Sequence, residues 1–127
     1  MTMERDIVKA ILAYINGLPN GLARKRWGGG MGVAGDPDID ACVAGRCVQF
    51  EVKRPGQNPT VLQMKRLEEW RSAGAVVGVV RSVEEAQKIL EKIYNTSGKT
   101  IRRGVYSMQT LNERRDSQKS LSLFRRG

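Results

Sequence analysis

Two carboxylates and a lysine share a period-two pattern in the first half of the chain. Asp38 belongs to the alternating segment DIDACV, and Glu51 and Lys53 belong to the alternating segment RCVQFEVK. Because Ala44-Gly45 between the two segments favours a tight turn, the segments are predicted to form a β-hairpin. Pairing around this turn places Asp38 opposite Glu51, and a register shifted by two residues places it opposite Lys53. Either register keeps the three side chains on one face of the sheet.

Two opposed carboxylates repel each other unless a positive charge neutralises them, and a divalent cation is the natural candidate. Mg²⁺ prefers oxygen ligands, uses one or two protein carboxylates and keeps water molecules that can be activated for attack. Lys53 would point to the same side as Glu51, where it could stabilise charge that develops on a phosphate. The alternative is an exposed sheet face with ordinary mixed charge, in which Lys53 or Arg54 pairs with an acid.

The composition limits the chemistry to carboxylates, lysine and hard metal ions. The 127 residues include no histidine, which excludes His-based triads, His acid–base catalysis and most zinc sites. The 22 Lys and Arg residues outnumber the 13 Asp and Glu residues, for a net charge of +9. This excess indicates a polyanionic partner, most simply a nucleic acid, although a basic surface that only favours solubility is the alternative. No segment has the length of a membrane span or the pattern of a signal peptide, so we expect a soluble, cytoplasmic protein with no membrane partner.

The hydrophobic periodicity predicts one compact α/β domain over residues 1–97, in which helices flank a mixed sheet. The predicted order is α-β-β-β-α-β-α. The run AVVGVV is apolar throughout, so this strand is predicted to be covered on both faces. The second helix has a marked start, because Thr60 and Gln63 match a capping box. The helices are predicted at 3–16, 60–73 and 82–94, and the strands at 22–27, 38–43, 46–53 and 75–80.

Positive charge is concentrated in two places outside the predicted hairpin. The run Arg24-Lys25-Arg26 precedes a glycine-rich segment, GGGMGVAG, which is either a flexible connector or a place where a ligand approaches the backbone closely. Residues 98–127 hold eight basic and two acidic side chains, and their scattered apolar residues are too few to form a core. We expect this basic C-terminal extension to grip phosphates or to pack on a partner subunit, although a terminus with no specific role is the alternative.

The spacing of the candidate residues resembles a known nuclease signature. Pro37-Asp38 followed by Glu51-Val52-Lys53 resembles the motif of the PD-(D/E)XK nuclease superfamily. More narrowly, the runs GDPDIDACVAGRCVQFEVKRPGQNPTVLQ and LEEWRSAGAVVGVVRSVEEA are similar to the VRR-NUC (virus-type replication-repair nuclease) domain. The resemblance implies a restriction-endonuclease-like core in its stand-alone, phage-type form. It also implies a homodimer that acts in the cytoplasm of a bacterial or phage-infected host cell.

The resemblance also implies roles for individual residues. Asp38 and Glu51 would ligate Mg²⁺ or Mn²⁺, with the backbone carbonyl of Val52 as a further ligand. Lys53 would be the catalytic lysine. Gln63 matches the glutamine of the family motif and would position a water molecule or the lysine, whereas a role only in the capping box is the alternative.

A third acidic residue matches the family on the first helix. Glu4 corresponds to an acid that many members carry there, and it is a further candidate metal ligand that would reach the ion through water. The alternative is a glutamate favoured by the helix dipole in the first turn. Asp36 and Asp40 are weaker candidates.

The leading hypothesis is a metal-dependent endonuclease that hydrolyses phosphodiester bonds in DNA, with selectivity for branched DNA such as a four-way junction or flap. Aromatic residues make up only 6% of the chain, so duplex or branched DNA is favoured over single strands, which proteins bind by base stacking. The alternatives are a non-catalytic nucleic-acid-binding protein on a nuclease-like fold and a basic structural or assembly protein. The residues expected to hold DNA phosphates are Arg24, Lys25, Arg26, Arg54, Arg102 and Arg103.

Overall fold

A computed structural model describes residues 3–27, 30 and 32–96 of the chain. The predicted C-terminal extension, with Arg102 and Arg103, lies outside these residues. The order of the elements is the predicted one, and each boundary falls within two residues of its expected position. The elements are α1 (Glu4–Asn16), β1 (Gly21–Lys25), β2 (Ile39–Val43), β3 (Arg46–Val52), α2 (Val61–Ser72), β4 (Val76–Val80) and α3 (Val83–Thr96).

The four strands form one mixed sheet in the order β1-β2-β3-β4. The first two pairs are antiparallel and β3–β4 is parallel, which confirms the predicted mixed sheet. Cys42 lies opposite Cys47 in the hairpin, as the register around the predicted turn requires. Ala44 and Gly45 have φ angles of 53° and 82°. Two positive φ angles in succession are typical of a type I′ turn, whose twist matches that of the strands it joins.

One face of the sheet carries the apolar core. In β2 and β3 every second side chain points to this face, and these side chains are buried against α1 and α3. Gly78 in β4 shows how closely α3 approaches, because a Cβ atom added there would lie 2.7 Å from Ile89 Cδ1. The buried side chains of this face include Ile39, Val43, Val48, Phe50 and Val52 from the sheet, and Ile11, Ile15, Leu90 and Ile93 from the helices.

The opposite face is covered only in part. Here α2 packs over β3 and β4 and buries Leu67. On this face the outer side of β1 and β2 is open to solvent at Leu22, Arg24 and Asp40. This open half of the sheet adjoins the end of β3, where the candidate residues lie.

β4 is contacted by α2 on one face and by α3 on the other, as the apolar run predicts. Its first four residues are only half-buried, and Val80 is the one fully buried position of the strand. This partial exposure follows from its place at the edge of the sheet, where β3 is its one partner strand among the described residues. In the described part of the chain, no helix has both the length and the apolar character needed to span a membrane.

Candidate active site

Asp38 is fixed across the end of the hairpin by a backbone donor. It directly precedes β2, and its Oδ2 accepts a hydrogen bond of 2.8 Å from the Val52 N–H, at the last residue of β3. In an extended strand the N–H and C=O of one residue point to the same side. The Val52 carbonyl is therefore directed toward the side on which Asp38 lies. This places a carboxylate and a main-chain oxygen at one end of the sheet.

Glu51 is a buried carboxylate with an unsatisfied oxygen. The residue is 1% exposed, and its Oε2 has no hydrogen-bond partner among the described residues. The pKa of Glu51 is raised to about 8, mainly by burial and further by the charge of Asp38 and a side-chain hydrogen bond with it. Lys53 acts in the opposite direction on this pKa, and the charge of Glu4 adds a small upward contribution. A buried carboxylate without a full set of partners is costly unless it is protonated or a cation neutralises it.

Lys53 lies beside Glu51 on the same face of the sheet. Its Nζ is 3.9 Å from Glu51 Oε1, and 13% of its side chain is exposed. Its backbone N–H donates to the Val80 carbonyl at 3.0 Å, which extends the pairing of β3 with β4 by one residue. The structure thus brings Asp38, Glu51 and Lys53 together, as the period-two pattern predicts.

The donor set fits a hard divalent cation. The unsatisfied Glu51 oxygen, the Asp38 carboxylate and the Val52 carbonyl are oxygen donors at one place, and Mg²⁺ or Mn²⁺ favours such ligands together with water. Among the described residues, no group of three or more His, Cys, Asp or Glu side chains could hold a metal ion. Two carboxylates would suffice for Mg²⁺, which retains several waters. Glu4, at the start of α1, acts on Glu51 through its charge.

Gln63 takes part in the capping box at the start of α2. Its Oε1 accepts from the Thr60 N–H at 2.8 Å, and the Thr60 hydroxyl accepts from the Gln63 N–H at 3.1 Å. Both bonds of the predicted capping box are therefore present. No hydrogen bond joins the Gln63 side chain to Lys53 within the described part of the chain, so the structure keeps this side chain at the helix start.

The basic side chains of β1 do not share one environment. Arg24 and Lys25 are exposed, and Arg54, which follows Lys53, is half-buried. Arg26 is different, because its guanidinium makes hydrogen bonds within the protein and faces the Trp70 ring. Two of the four predicted phosphate contacts in the described residues, Arg24 and Lys25, are thus exposed, and Arg26 is held by partners inside the protein.

Asp36 and Asp40 are drawn away from the carboxylate pair. Asp36 accepts from Trp70 Nε1 at 3.2 Å, and Asp40 accepts from Gln49 Nε2 at 2.6 Å. Sequence reasoning missed Gln49 and Trp70 as part of this surrounding network. The period-two pattern does place Gln49 on the same face as Glu51, but it contains no sign that α2 covers that part of β3.

The fold is a four-stranded mixed sheet flanked by helices, and two carboxylates and a lysine lie at the end of the hairpin away from its turn. Together these features define an α/β nuclease-like fold. A solved structure described as a VRR_NUC domain matches with a TM-score of 0.62 and 30% identity, over 74% of this chain and 100% of that chain. Another, described as a VRR_NUC domain protein, shares the fold with a TM-score of 0.62 and 17% identity, over 74% of this chain and 89% of that chain. No protein-family model and no curated protein matches the chain. The first structure shows that the chain belongs to the VRR-NUC family and is a nuclease-type domain.

Proposed function

We propose that this chain is a metal-dependent endonuclease that hydrolyses phosphodiester bonds in DNA. The observation that carries the proposal is the buried Glu51 carboxylate, whose Oε2 has no partner, beside Asp38 and Lys53. A sheet face selected only for stability would gain nothing from two acids so close together in a buried position. A site that binds a cation and a phosphate would use both acids and the lysine.

Each residue of the proposed site has a separate task. Asp38, Glu51 and the Val52 carbonyl would hold Mg²⁺ or Mn²⁺, which supplies Lewis acidity at a phosphoryl oxygen and activates water. Lys53 donates to the phosphate and stabilises the charge that develops on it. Gln63 keeps its amide nitrogen for positioning water or Lys53, because its oxygen is used in the capping box. Glu4 supports the ion through water.

The open half of the sheet offers a surface for DNA. Arg24 lies exposed on this half, Lys25 is exposed at the end of β1 and Arg54 follows Lys53, so they could contact backbone phosphates without reading the base sequence. Arg102 and Arg103 would add contacts from the C-terminal extension. We expect a homodimer, because two active sites are needed to cut a four-way junction or another branched DNA symmetrically.

The test is cleavage of nicked, flap, four-way and linear DNA in Mg²⁺ or Mn²⁺. Activity on one class of substrate is expected for the wild type and is lost in Lys53→Ala, which still binds DNA. Lys9→Ala is the matched control, since Lys9 is exposed on α1 and outside the site. Undiminished cleavage by Lys53→Ala would reject the site. Salt-dependent binding with no cleavage in either ion would instead indicate the non-catalytic binding protein.

A further inference from the structure

The side chain of Arg26 is held by partners from three separate parts of the chain. Its Nη1 donates to the Pro37 carbonyl at 2.6 Å, and its Nη2 donates to Gln49 Oε1 at 2.8 Å. Its guanidinium carbon lies 5.2 Å from the centre of the Trp70 ring, which is a cation–π contact. Only 19% of the side chain is exposed. A loop, a strand and a helix therefore fix the orientation of this guanidinium.

The backbone of Arg26 is tied to the same segment as its side chain. Its N–H donates to the Asp38 carbonyl at 2.7 Å, one residue beyond the last pair of the β1–β2 ladder. Two consecutive carbonyls, those of Pro37 and Asp38, thus accept hydrogen bonds from one arginine. The Asp38 carboxylate is fixed separately, by the Val52 N–H. Main chain and side chain of Asp38 are held from opposite sides.

Arg26 also neutralises the two acids that flank Asp38 in sequence. Its Nε lies 3.7 Å from Asp36 Oδ2, and its Nη2 lies 3.8 Å from Asp40 Oδ2. Without this charge, three carboxylates spaced two residues apart would repel one another at the start of β2. The arginine removes that repulsion and leaves only Asp38 directed toward Glu51.

We infer that Arg26 is a positioning residue, which holds the Pro37-Asp38 segment so that the Asp38 carboxylate lies beside Glu51 in the geometry that binds the metal ion. This inference rests on the proposed function, because it assigns a supporting role at the same site. It replaces the expectation that Arg26 contacts a DNA phosphate. Partners that orient metal ligands in this way contribute about 10–100-fold to metal affinity or activity.

A change of Arg26 to lysine distinguishes the positioning of Asp38 from a contact with a DNA phosphate. A lysine keeps the positive charge, so it would largely preserve a contact with a phosphate. It presents a point charge on a flexible stem instead of a planar fork, so it cannot hold Pro37 and Gln49 together in the observed geometry. Arg26→Lys should therefore behave like Arg26→Ala in metal binding if the arginine positions Asp38.

The experiment measures Mn²⁺ binding by isothermal titration calorimetry, with DNA affinity and cleavage kinetics measured in parallel. For Arg26→Ala and Arg26→Lys we expect the Mn²⁺ dissociation constant to rise about 10–100-fold, with a small change in KM for DNA. Arg24→Ala should show the reverse, a raised KM with wild-type Mn²⁺ affinity. Arg46→Ala is the charge control, because Arg46 is exposed at the hairpin turn.

Two outcomes would overturn the inference. One is a wild-type Mn²⁺ dissociation constant in Arg26→Ala, and the other is full rescue of metal affinity by Arg26→Lys. If circular dichroism shows that Arg26→Ala does not fold, Gln49→Met supplies the same test, since it removes the hydrogen bond to Arg26 and keeps the buried volume. Wild-type Mn²⁺ affinity in folded Gln49→Met would also reject the inference. A wild-type chain that binds no Mn²⁺ would instead reject the proposed function.

Discussion

The two faces of the sheet are built from the same strands, but one face is apolar and the other is polar. On the face under α1 and α3, β3 presents Val48, Phe50 and Val52, all fully buried among apolar side chains. On the other face the same strand presents Gln49 and Glu51, which are equally buried and polar. Residues one position apart in sequence therefore meet contrasting environments, because successive side chains of a strand point to opposite faces.

The polar face contains two buried polar side chains, Gln49 and Glu51, which differ in how far their polar atoms are hydrogen-bonded. Gln49 satisfies its amide through Arg26 and Asp40, so burial there is compensated by hydrogen bonds inside the protein. Glu51 lacks such compensation at Oε2, and its pKa rises accordingly. The difference between Gln49 and Glu51 separates a buried polar group that contributes to the fold from one that is arranged for a ligand. A fully paired group stabilises the fold, whereas an unpaired buried group is ready for an external partner.

The largest expected effect tests whether the apolar face acts only through stability. Phe50→Ala removes a fully buried ring and should lower the free energy of unfolding by about 3–5 kcal/mol. Urea denaturation measures this loss, and Leu22→Ala, an exposed position on the other face, is the control with little change. Calorimetry on the fraction that remains folded should give wild-type Mn²⁺ affinity. A weakened metal site in folded Phe50→Ala would show that the two faces are not separable.

Glu51→Gln tests the opposite face. The variant should lose at least about 100-fold in cleavage rate, since it removes a direct ligand and not merely its support. Its metal-free form should melt at a higher temperature than the wild type, because the buried carboxylate is gone. Differential scanning calorimetry in EDTA measures the shift, with Glu91→Gln on the exposed side of α3 as control. A lower melting temperature of the variant would contradict the inference that the buried Glu51 carboxylate destabilises the metal-free fold.

The pH dependence sharpens the same contrast. The pKa of Glu51 is raised from 4.5 to about 8 by folding, so the folded chain keeps a proton that the unfolded chain releases. The stabilisation that this bound proton gives to the folded chain is complete below pH 4.5 and is lost as the pH rises through about 8. The free energies of unfolding in urea of metal-free wild type and Glu51→Gln should therefore diverge as the pH rises, and the variant should be the more stable of the two. Parallel curves would mean that Glu51 is not protonated in the folded state.

The smallest expected effect separates the cap of α2 from the chemistry. Thr60→Ala removes the hydroxyl that accepts from the Gln63 N–H, so it should cost about 1 kcal/mol of stability and leave cleavage unchanged. Gln63→Ala should cost a similar amount and also lower kcat, if its amide nitrogen positions water or Lys53. Equal kcat values for the two variants would confine Gln63 to the capping box.

The local patterns carry the parts of the fold that depend on neighbours in sequence. The hairpin register, with Asp40 opposite Gln49, follows from the turn and the period of two. The burial of Glu51 depends on α2 and β4, which arrive from later in the chain. The network of Arg26 joins residues 23 positions apart, and no periodicity links them. The sequence could therefore predict which residues share a face, but not which of them would be enclosed there.

The second helix is attached to the rest of the domain mainly through polar contacts. It buries only Leu67 completely, and its other anchors reach the segment before Asp38: Arg66 Nε donates to the Ala34 carbonyl at 3.0 Å, and Trp70 donates to Asp36. Elements with few buried apolar contacts open first in native-state hydrogen exchange. The helix and that segment should therefore exchange their amide protons as one cooperative unit, ahead of the sheet. Opening of this unit would widen the polar face of the sheet while the apolar core remains closed.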